Sequence, residues 1–277
     1  MVYPYPYKFL MNPQEKCRNR DPFLVLLVVG ISYDVDSRMA IRDTWGNEGN
    51  FRDVLVVTVF LLGLYPNATR RVQQLLEEEN SIYGDIVQQD FIDTYYNLTL
   101  KTLMGVEWVS KYCPTASYVM KIDSDMFLNV GFLIHTVLNP GVPLRKDYAT
   151  GFIVANTAPN REKDSKFYVP LEIYPNDTYP PYFAGPGYVF TADVAQKVYD
   201  IAQTIQVIPN EDCFFGICLY HLNITPYTPV PGVFNGHWID YDRCLYNKLA
   251  IVHHYKNDKL REVWKDFWTK KNSGCPD

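Results

Sequence analysis

Phe23–Val29 is an unbroken apolar run, too short for a helix, which predicts a strand buried on both faces. Val54–Leu62, interrupted only by Thr58, predicts a second such strand ending in a turn at Gly63–Pro66. Between them Arg38–Trp45 has helical character. Arg70–Asn80 predicts a helix, Ile86–Gln88 a short strand, and Thr94–Tyr112 a long helix. In that helix Tyr96, Leu100, Leu103, Met104 and Trp108 fall near the helical period. Tyr118–Ile122 is a third short strand that runs directly into acidic residues. Strands alternating with helices imply an α/β protein, a parallel sheet with crossover helices.

Past Gly151 the texture changes. Residues 155–187 hold six prolines among tyrosines and asparagines, which predicts a long structured loop. Thr191 is placed to cap a helix carrying Val194, Val198, Ile201 and Ile205 on one stripe. Glu211–Leu222 predicts a helix with two carboxylates at its start. After Asp258, Leu260, Val263, Trp264 and Phe267 follow the i, i+3, i+4, i+7 spacing of a last helix. No repeat or linker interrupts this series. Residues 21–277 therefore read as one domain, and residues 1–20, with Pro and Tyr interleaved over Tyr3–Lys8, as an extended lead-in.

Composition narrows the class. With 47% apolar residues the chain is too hydrophobic for disorder. A net charge of −5 without a long basic run excludes a nucleic-acid binder. The apolar stretches fall short of the ~18 residues a membrane helix needs. The first twenty residues lack the cationic head and apolar stretch of a signal peptide, so the chain reads as a soluble domain or the remainder of an anchored protein. Cys17, Cys113, Cys213, Cys218, Cys244 and Cys275 never form a tight C-x-x-C pair, and N-x-[ST] sequons occur at Asn67, Asn97, Asn176 and Asn223. Together they favour a secretory lumen. The 22 tyrosines suit a core and also the faces of sugar rings.

Four constellations carry candidate chemistry. In Lys121-Ile122-Asp123-Ser124-Asp125, residues i and i+2 of an extended chain point the same way, so both carboxylates can converge on one ligand. Ligands of open parallel sheets bind beyond the carboxyl ends of strands, where such a pair can hold a divalent cation; a solvated acidic turn has the same pattern. Glu211 and Asp212 are either cap and dipole partners of their helix or include a general base. The His253-His254 pair, after an apolar segment, is structural or supplies a metal ligand. Arg38 and Arg42 share a helix face and either pair a diphosphate or neutralise Asp34, Asp36 or Asp43. Serine-hydrolase elbow, phosphate loop and zinc-helix motifs are missing, and Gly185-Pro186-Gly187 is no dinucleotide fingerprint.

Five segments recur in a fixed order: Arg38–Gly46, Asp90–Thr102, Asp123–Asp125, Tyr179–Tyr188 and Glu211–Gly216. On these the chain, from about Tyr5 to Cys275, resembles the lumenal domain of the β1,3-galactosyltransferases of glycosyltransferase family 31. The resemblance implies a GT-A fold, a mixed and mostly parallel sheet flanked by helices. Its nucleotide-binding half would cover about 21–130 and its acceptor-binding half about 131–277. It implies inverting transfer of galactose from UDP-galactose, in β1,3 linkage, to the terminal GlcNAc of a glycoprotein or glycolipid glycan, with Mn²⁺ as cofactor. Asp123, Asp125 and His253 would hold the metal. Arg38, Arg42, Lys121, Asp123, Ser124 and Glu211 would bind the donor, and Asp212 would be the base. Tyr182, Gly185 and Gly187, in a loop Tyr179–Tyr188, would line the acceptor pocket. Family members are type II Golgi membrane proteins, so an N-terminal anchor is expected.

The chain departs from the family pattern at three positions. Ile122 stands where galactosyl relatives have Thr, Phe183 where a Cys is usual, and Cys213 where they carry Val. The resemblance implies Cys17–Cys113 and Cys218–Cys244 disulfides, with Cys213 as a replacement partner for Cys275. N-acetylglucosaminyl relatives tend to carry Asp at the position of Glu211, which favours galactose. The alternatives are transfer of GlcNAc to galactose, or a catalytically silent glycan-binding or scaffold domain.

Overall fold

A computed structural model describes residues 7–51, 53–66, 70–228, 232–270 and 274–275. In chain order its elements are β1 (Phe9–Met11), β2 (Leu24–Val29), α1 (Val35–Asp43), β3 (Val56–Leu64), α2 (Arg70–Tyr83), β4 (Ile86–Ile92), α3 (Leu98–Tyr112) and β5 (Tyr118–Asp123). There follow β6 (Met126–Leu128), α4 (Val130–Phe132), β7 (Ala149–Val154), β8 (Tyr182–Thr191), α5 (Ala192–Ala202), α6 (Glu211–His221), α7 (Arg243–Tyr246), β9 (Ile251–His253) and α8 (Asn257–Thr269). The main sheet runs β1-β4-β3-β2-β5-β8-β7, and β6 and β9 form a small antiparallel sheet. Strands β4, β3, β2, β5 and β7 share one direction, and β1 and β8 oppose them. The mixed, mostly parallel sheet flanked by helices is thus the expected class.

The apolar run of β2 has its cause in this position. Val25, Leu27 and Val29 face a layer built with α3, α5 and α6, whereas Leu24, Leu26 and Val28 face a layer built with α1 and α8. Alternate side chains of a strand point to opposite faces, so a central strand covered on both sides must be apolar throughout. Gly216 fixes how closely α6 lies on the sheet: a Cβ there would sit 2.4 Å from the Tyr182 Cβ.

Several boundaries differ from expectation: α3 starts at Leu98 and leaves Tyr96 outside it, β4 runs on to Ile92, and α5 ends at Ala202, before Ile205. Residues 7–17 are no lead-in: β1 pairs antiparallel with β4, and Cys17 is bonded to Cys113 at the end of α3. The stretch expected to be a loop at Tyr179–Tyr188 is largely strand, because β8 begins at Tyr182. Gly185-Pro186-Gly187 falls where the β7–β8 register shifts, and an irregular pairing is where a strand tolerates proline, which has no N–H to donate. Thr191 does precede its helix, but its hydroxyl donates to Asp193 Oδ1 (2.5 Å) instead of capping the backbone.

The cysteine pairing is corrected as well. Cys17–Cys113 forms, but Cys244 pairs with Cys275, and Cys213 and Cys218 are free and buried. The last two sit on α6 in the α3–α5 layer, while Cys244 lies in α7, whose Tyr246 packs in the opposite layer. The sheet stands between them. Among the sequons, Asn176 and Asn223 are exposed. Asn97 donates its amide to the Ile92 carbonyl (2.7 Å) and its partner Thr99 is buried. Asn67 lies outside the described residues.

Non-reducing peptide mapping is expected to recover Cys17–Cys113 and Cys244–Cys275 cross-links, with Cys213 and Cys218 alkylated only after unfolding. A Cys218–Cys244 or Cys213–Cys275 peptide would contradict this topology.

Candidate active site

The carboxyl ends of β2 and β5 meet the N-terminus of α6. The parallel register sets Asp123 beside Val29, and the antiparallel register sets Tyr188 beside Lys121. A cavity of about 540 Å³ opens there, lined by Tyr95, Lys121, Asp123, Tyr182, Gly185, Glu211, Asp212 and His253 among others. A second, of about 420 Å³, is lined by residues including Gly30, Tyr33, Tyr65, Lys101, Asp123, Ser124, Asp125 and Lys256. Tyr95, Leu98 and Asp123 border both, so the two are adjoining compartments. Gly187, expected at the acceptor pocket, packs inside the sheet, where a Cβ would lie 3.2 Å from Met120 Cε.

Lys121 ties the first compartment together. Its ammonium is buried, donates to Asp123 Oδ1 (2.8 Å) and to the Gly185 carbonyl (2.5 Å), and pairs with Glu211 Oε2 at 3.2 Å. Burial opposes the charge, but Asp123 and Glu211 outweigh it and raise the lysine pKa. Glu211 also accepts a hydrogen bond from the buried Tyr188 hydroxyl, a partner the sequence reading missed. Burial raises the Glu211 pKa against the pull of Lys121. Asp212 differs: Oδ1 accepts from the Cys213 N–H (2.8 Å), and among the described residues no lysine or arginine pairs with it. Its Oδ2 lies over Gly185, 3.4 Å from where a Cβ would be. A carboxylate free of cations, facing a cavity, can accept a proton from a hydroxyl held there.

The two carboxylates of the acidic turn divide. Asp123 ends β5, and the chain turns at Ser124-Asp125 into β6, so strand alternation does not bring them together. Asp123 faces Lys121. Asp125 faces His253, whose Nε2 lies 3.4 Å from its Oδ1, because β6–β9 pairing sets His253 opposite Met126. Asp125, His253 and His254 bring ligand atoms within 4.8 Å of one another, a group that does not include Asp123. Burial opposes ionisation of Asp125, but His253 outweighs it and lowers the pKa; the same hydrogen bond raises that of His253. One carboxylate and two imidazoles fit a divalent cation of the middle transition series. His254, at φ +69°, joins His253 as a ligand candidate, where the family resemblance had singled out His253 alone.

Both arginines are paired with carboxylates of the protein. Arg38, only 1% exposed, donates to both Glu79 oxygens (2.8 and 2.6 Å) and to the carbonyls of Ile31 and Ser32. Arg42 donates to both oxygens of Asp85 at 2.8 Å and pairs with Glu79. Neither lines a compartment; Arg38 instead holds the loop after β2, where Ile31 borders the second one. Lys256 faces that compartment, and its charge acts on Asp125. Lys101 also lines it, donating to the Gly30 carbonyl and pairing with Asp93, both at 2.6 Å. Asp93 in turn accepts from the Gly63 N–H.

Comparison with known proteins finds a family model described as Galactosyltransferase matching residues 36–230. The chain is 42% identical over 272 residues to beta-1,3-galactosyltransferase 2 of Mus musculus and of Homo sapiens, covering 98% of this chain and 64% of each relative. It is 41% identical over 275 residues to beta-1,3-galactosyltransferase 1 of Mus musculus, covering 99% and 82%. It thus spans less than two thirds of the length of the first of these relatives. Among solved structures it is similar to galactosyltransferase LgtC in complex with donor and acceptor sugar analogs (TM-score 0.44, 7% identity, 91% and 98% covered). It is also similar to the WbbM bifunctional glycosyltransferase (TM-score 0.43, 11% identity, 90% and 52% covered).

Glu79→Gln should leave the buried Arg38 guanidinium short of a counter-charge, with Arg42 keeping Asp85, and destabilise the fold by about 3–5 kcal/mol in chemical denaturation. Burial opposes the Glu79 charge, but Arg38 and Arg42 hold its pKa below the ordinary 4.5. Its stabilisation is therefore full above that value and is lost as pH falls through the lowered one, so wild type and variant should converge in acid. Unchanged stability with weakened UDP binding would return the arginines to the nucleotide.

Proposed function

The chain belongs to the galactosyltransferase family, and on that footing we propose that it is an inverting transferase. It would move galactose from UDP-galactose, in β1,3 linkage, to the terminal GlcNAc of a glycoprotein or glycolipid glycan. The observation that carries this reading is the division of labour between adjacent carboxylates. Glu211 is held by Lys121 and Tyr188, whereas Asp212 faces the cavity unpaired with any cation among the described residues.

An α-linked donor giving a β-linked product needs one in-line displacement. Asp212 takes the proton of the acceptor 3-hydroxyl as that oxygen bonds to the anomeric carbon and the bond to the diphosphate breaks. Proton removal by a placed base contributes typically ~10²–10⁴-fold. No covalent intermediate on the protein is needed. UDP occupies the second compartment, its base against Tyr33 and Tyr65 and its diphosphate near Ser124 and Lys256; the sugar reaches past Asp123 into the first. Asp125 and His253, with His254, would hold Mn²⁺, which supplies charge neutralisation at the departing diphosphate when bound. Glu211 and Lys121 shape the donor-sugar end, and Tyr182 and Gly185 the acceptor end.

The disulfides and the exposed sequons Asn176 and Asn223 support an oxidising lumen, and the family resemblance a Golgi membrane setting with a lumenal catalytic domain and an N-terminal anchor. Among the described residues no helix is long and apolar enough to cross a membrane.

Incubation with UDP-galactose, UDP-GlcNAc, UDP-GalNAc and UDP-glucose, GlcNAc- and galactose-terminated acceptors, and Mn²⁺ or EDTA tests the reading. The expected product is Galβ1,3GlcNAc, formed with Mn²⁺ and lost with EDTA. GlcNAc transfer to galactose would keep the mechanism and overturn the donor. UDP binding without transfer from any donor would favour a silent domain.

A further inference from the structure

Part of the lining of the first compartment is aromatic and exposed. Tyr95, Tyr96 and Phe167 line it while 47%, 61% and 46% exposed. They come from two segments distant in sequence, yet Tyr95 makes edge contacts with both others, centroid to centroid 6.2 Å to Tyr96 and 6.3 Å to Phe167. Lys166 lies over the Tyr95 ring at 5.3 Å and the Phe167 ring at 4.8 Å, and its ammonium has no carboxylate partner among the described residues. A cation over two rings holds Lys166 and Phe167 against the turn that precedes α3. Exposed aromatic groups joined in one surface mark a place where something docks.

What docks is set by continuity with the reaction site. Tyr95 borders both compartments and lies near enough to Asp212 and Asp123 for their charges to act on its hydroxyl. An acceptor sugar presenting its 3-hydroxyl to Asp212 fills the space next to that carboxylate. The sugar to which it is attached must extend away from Asp212. Pyranose rings carry apolar C–H faces and polar rims, which match a flat ring flanked by hydroxyls and an ammonium.

We infer that Tyr96 and Phe167, joined through Tyr95, form a subsite for the sugar to which the terminal acceptor residue is linked. The preferred acceptor is then an oligosaccharide, not a lone terminal sugar glycoside. The inference rests on the galactosyl-transfer reading. The aromatic wall binds ground state and transition state alike, so its effect belongs in kcat/KM through KM.

The test compares kcat/KM for methyl β-GlcNAc with that for the methyl glycoside of GlcNAcβ1,3Gal, in wild type and in Tyr96→Ala, Phe167→Ala and Phe167→Tyr. Wild type should prefer the disaccharide, and each alanine variant should cut that preference roughly two- to tenfold, the range of one ring contact. Phe167→Tyr, which keeps the ring, should restore it. Equal use of both acceptors by wild type, or alanine variants that lose both in proportion, would overturn the subsite while leaving galactosyl transfer intact. Turnover of neither acceptor by wild type would overturn the transfer reading and the subsite with it.

Discussion

Lys121 carries a charge at a buried position, and three groups make that tolerable: Asp123, Glu211 and the Gly185 carbonyl. An isolated ammonium would be expelled or neutralised in such a place, so the ion pairs and the hydrogen bonds must form together. Each partner comes from a different element. Asp123 ends β5, Gly185 lies in β8, and Glu211 opens α6. One side chain therefore fixes the relative position of the strand end, the neighbouring strand and the helix that between them frame the cavity. The same contact engages Glu211 and so distinguishes it from Asp212, its neighbour in sequence.

The rest of the site is held by contacts that do not involve Lys121. Arg38 and Arg42 anchor α1 to Glu79 of α2 and to Asp85 before β4, and Arg38 stiffens the loop after β2 through two of its carbonyls. The two-stranded β6–β9 sheet carries His253 across from a distant part of the chain to Asp125, and the Tyr255 N–H donates to the Asp125 carbonyl on the other side of the turn. A sequence separation of over a hundred residues between carboxylate and imidazole is thereby closed by backbone pairing, with no dedicated linker.

What could be read from the chain follows from the range of the forces involved. The apolar runs of β2 and β3 and the periodicity of α3 and α8 are local consequences of burial, and they were legible. So was the placing of Asp123 at a strand end and of Glu211-Asp212 at a helix start. The partners of charges were not. Whether Arg38 meets a phosphate or Glu79 depends on a helix forty residues away, and no spacing within Arg38–Trp45 announces it. Of the expected disulfides Cys17–Cys113 forms, but the pairs given to Cys213 and Cys218 failed for the same reason: which side of the sheet a helix takes decides which thiols can meet, and these two took the side away from Cys244. Proline and glycine in β8 suggested a loop because the register shift that accommodates them appears only once β7 is in place.

If Lys121 and Tyr188 engage Glu211 and leave Asp212 as the base, the two carboxylates must respond differently to loss of charge. The most direct measurement is the single-turnover rate of Asp212→Asn beside that of Glu211→Gln, with calorimetric UDP binding in the presence of Mn²⁺ on both. The account predicts that Asp212→Asn binds UDP as wild type does but transfers ~10²–10⁴-fold more slowly, and that Glu211→Gln retains the greater rate. An Asp212→Asn enzyme turning over at the wild-type rate would contradict it.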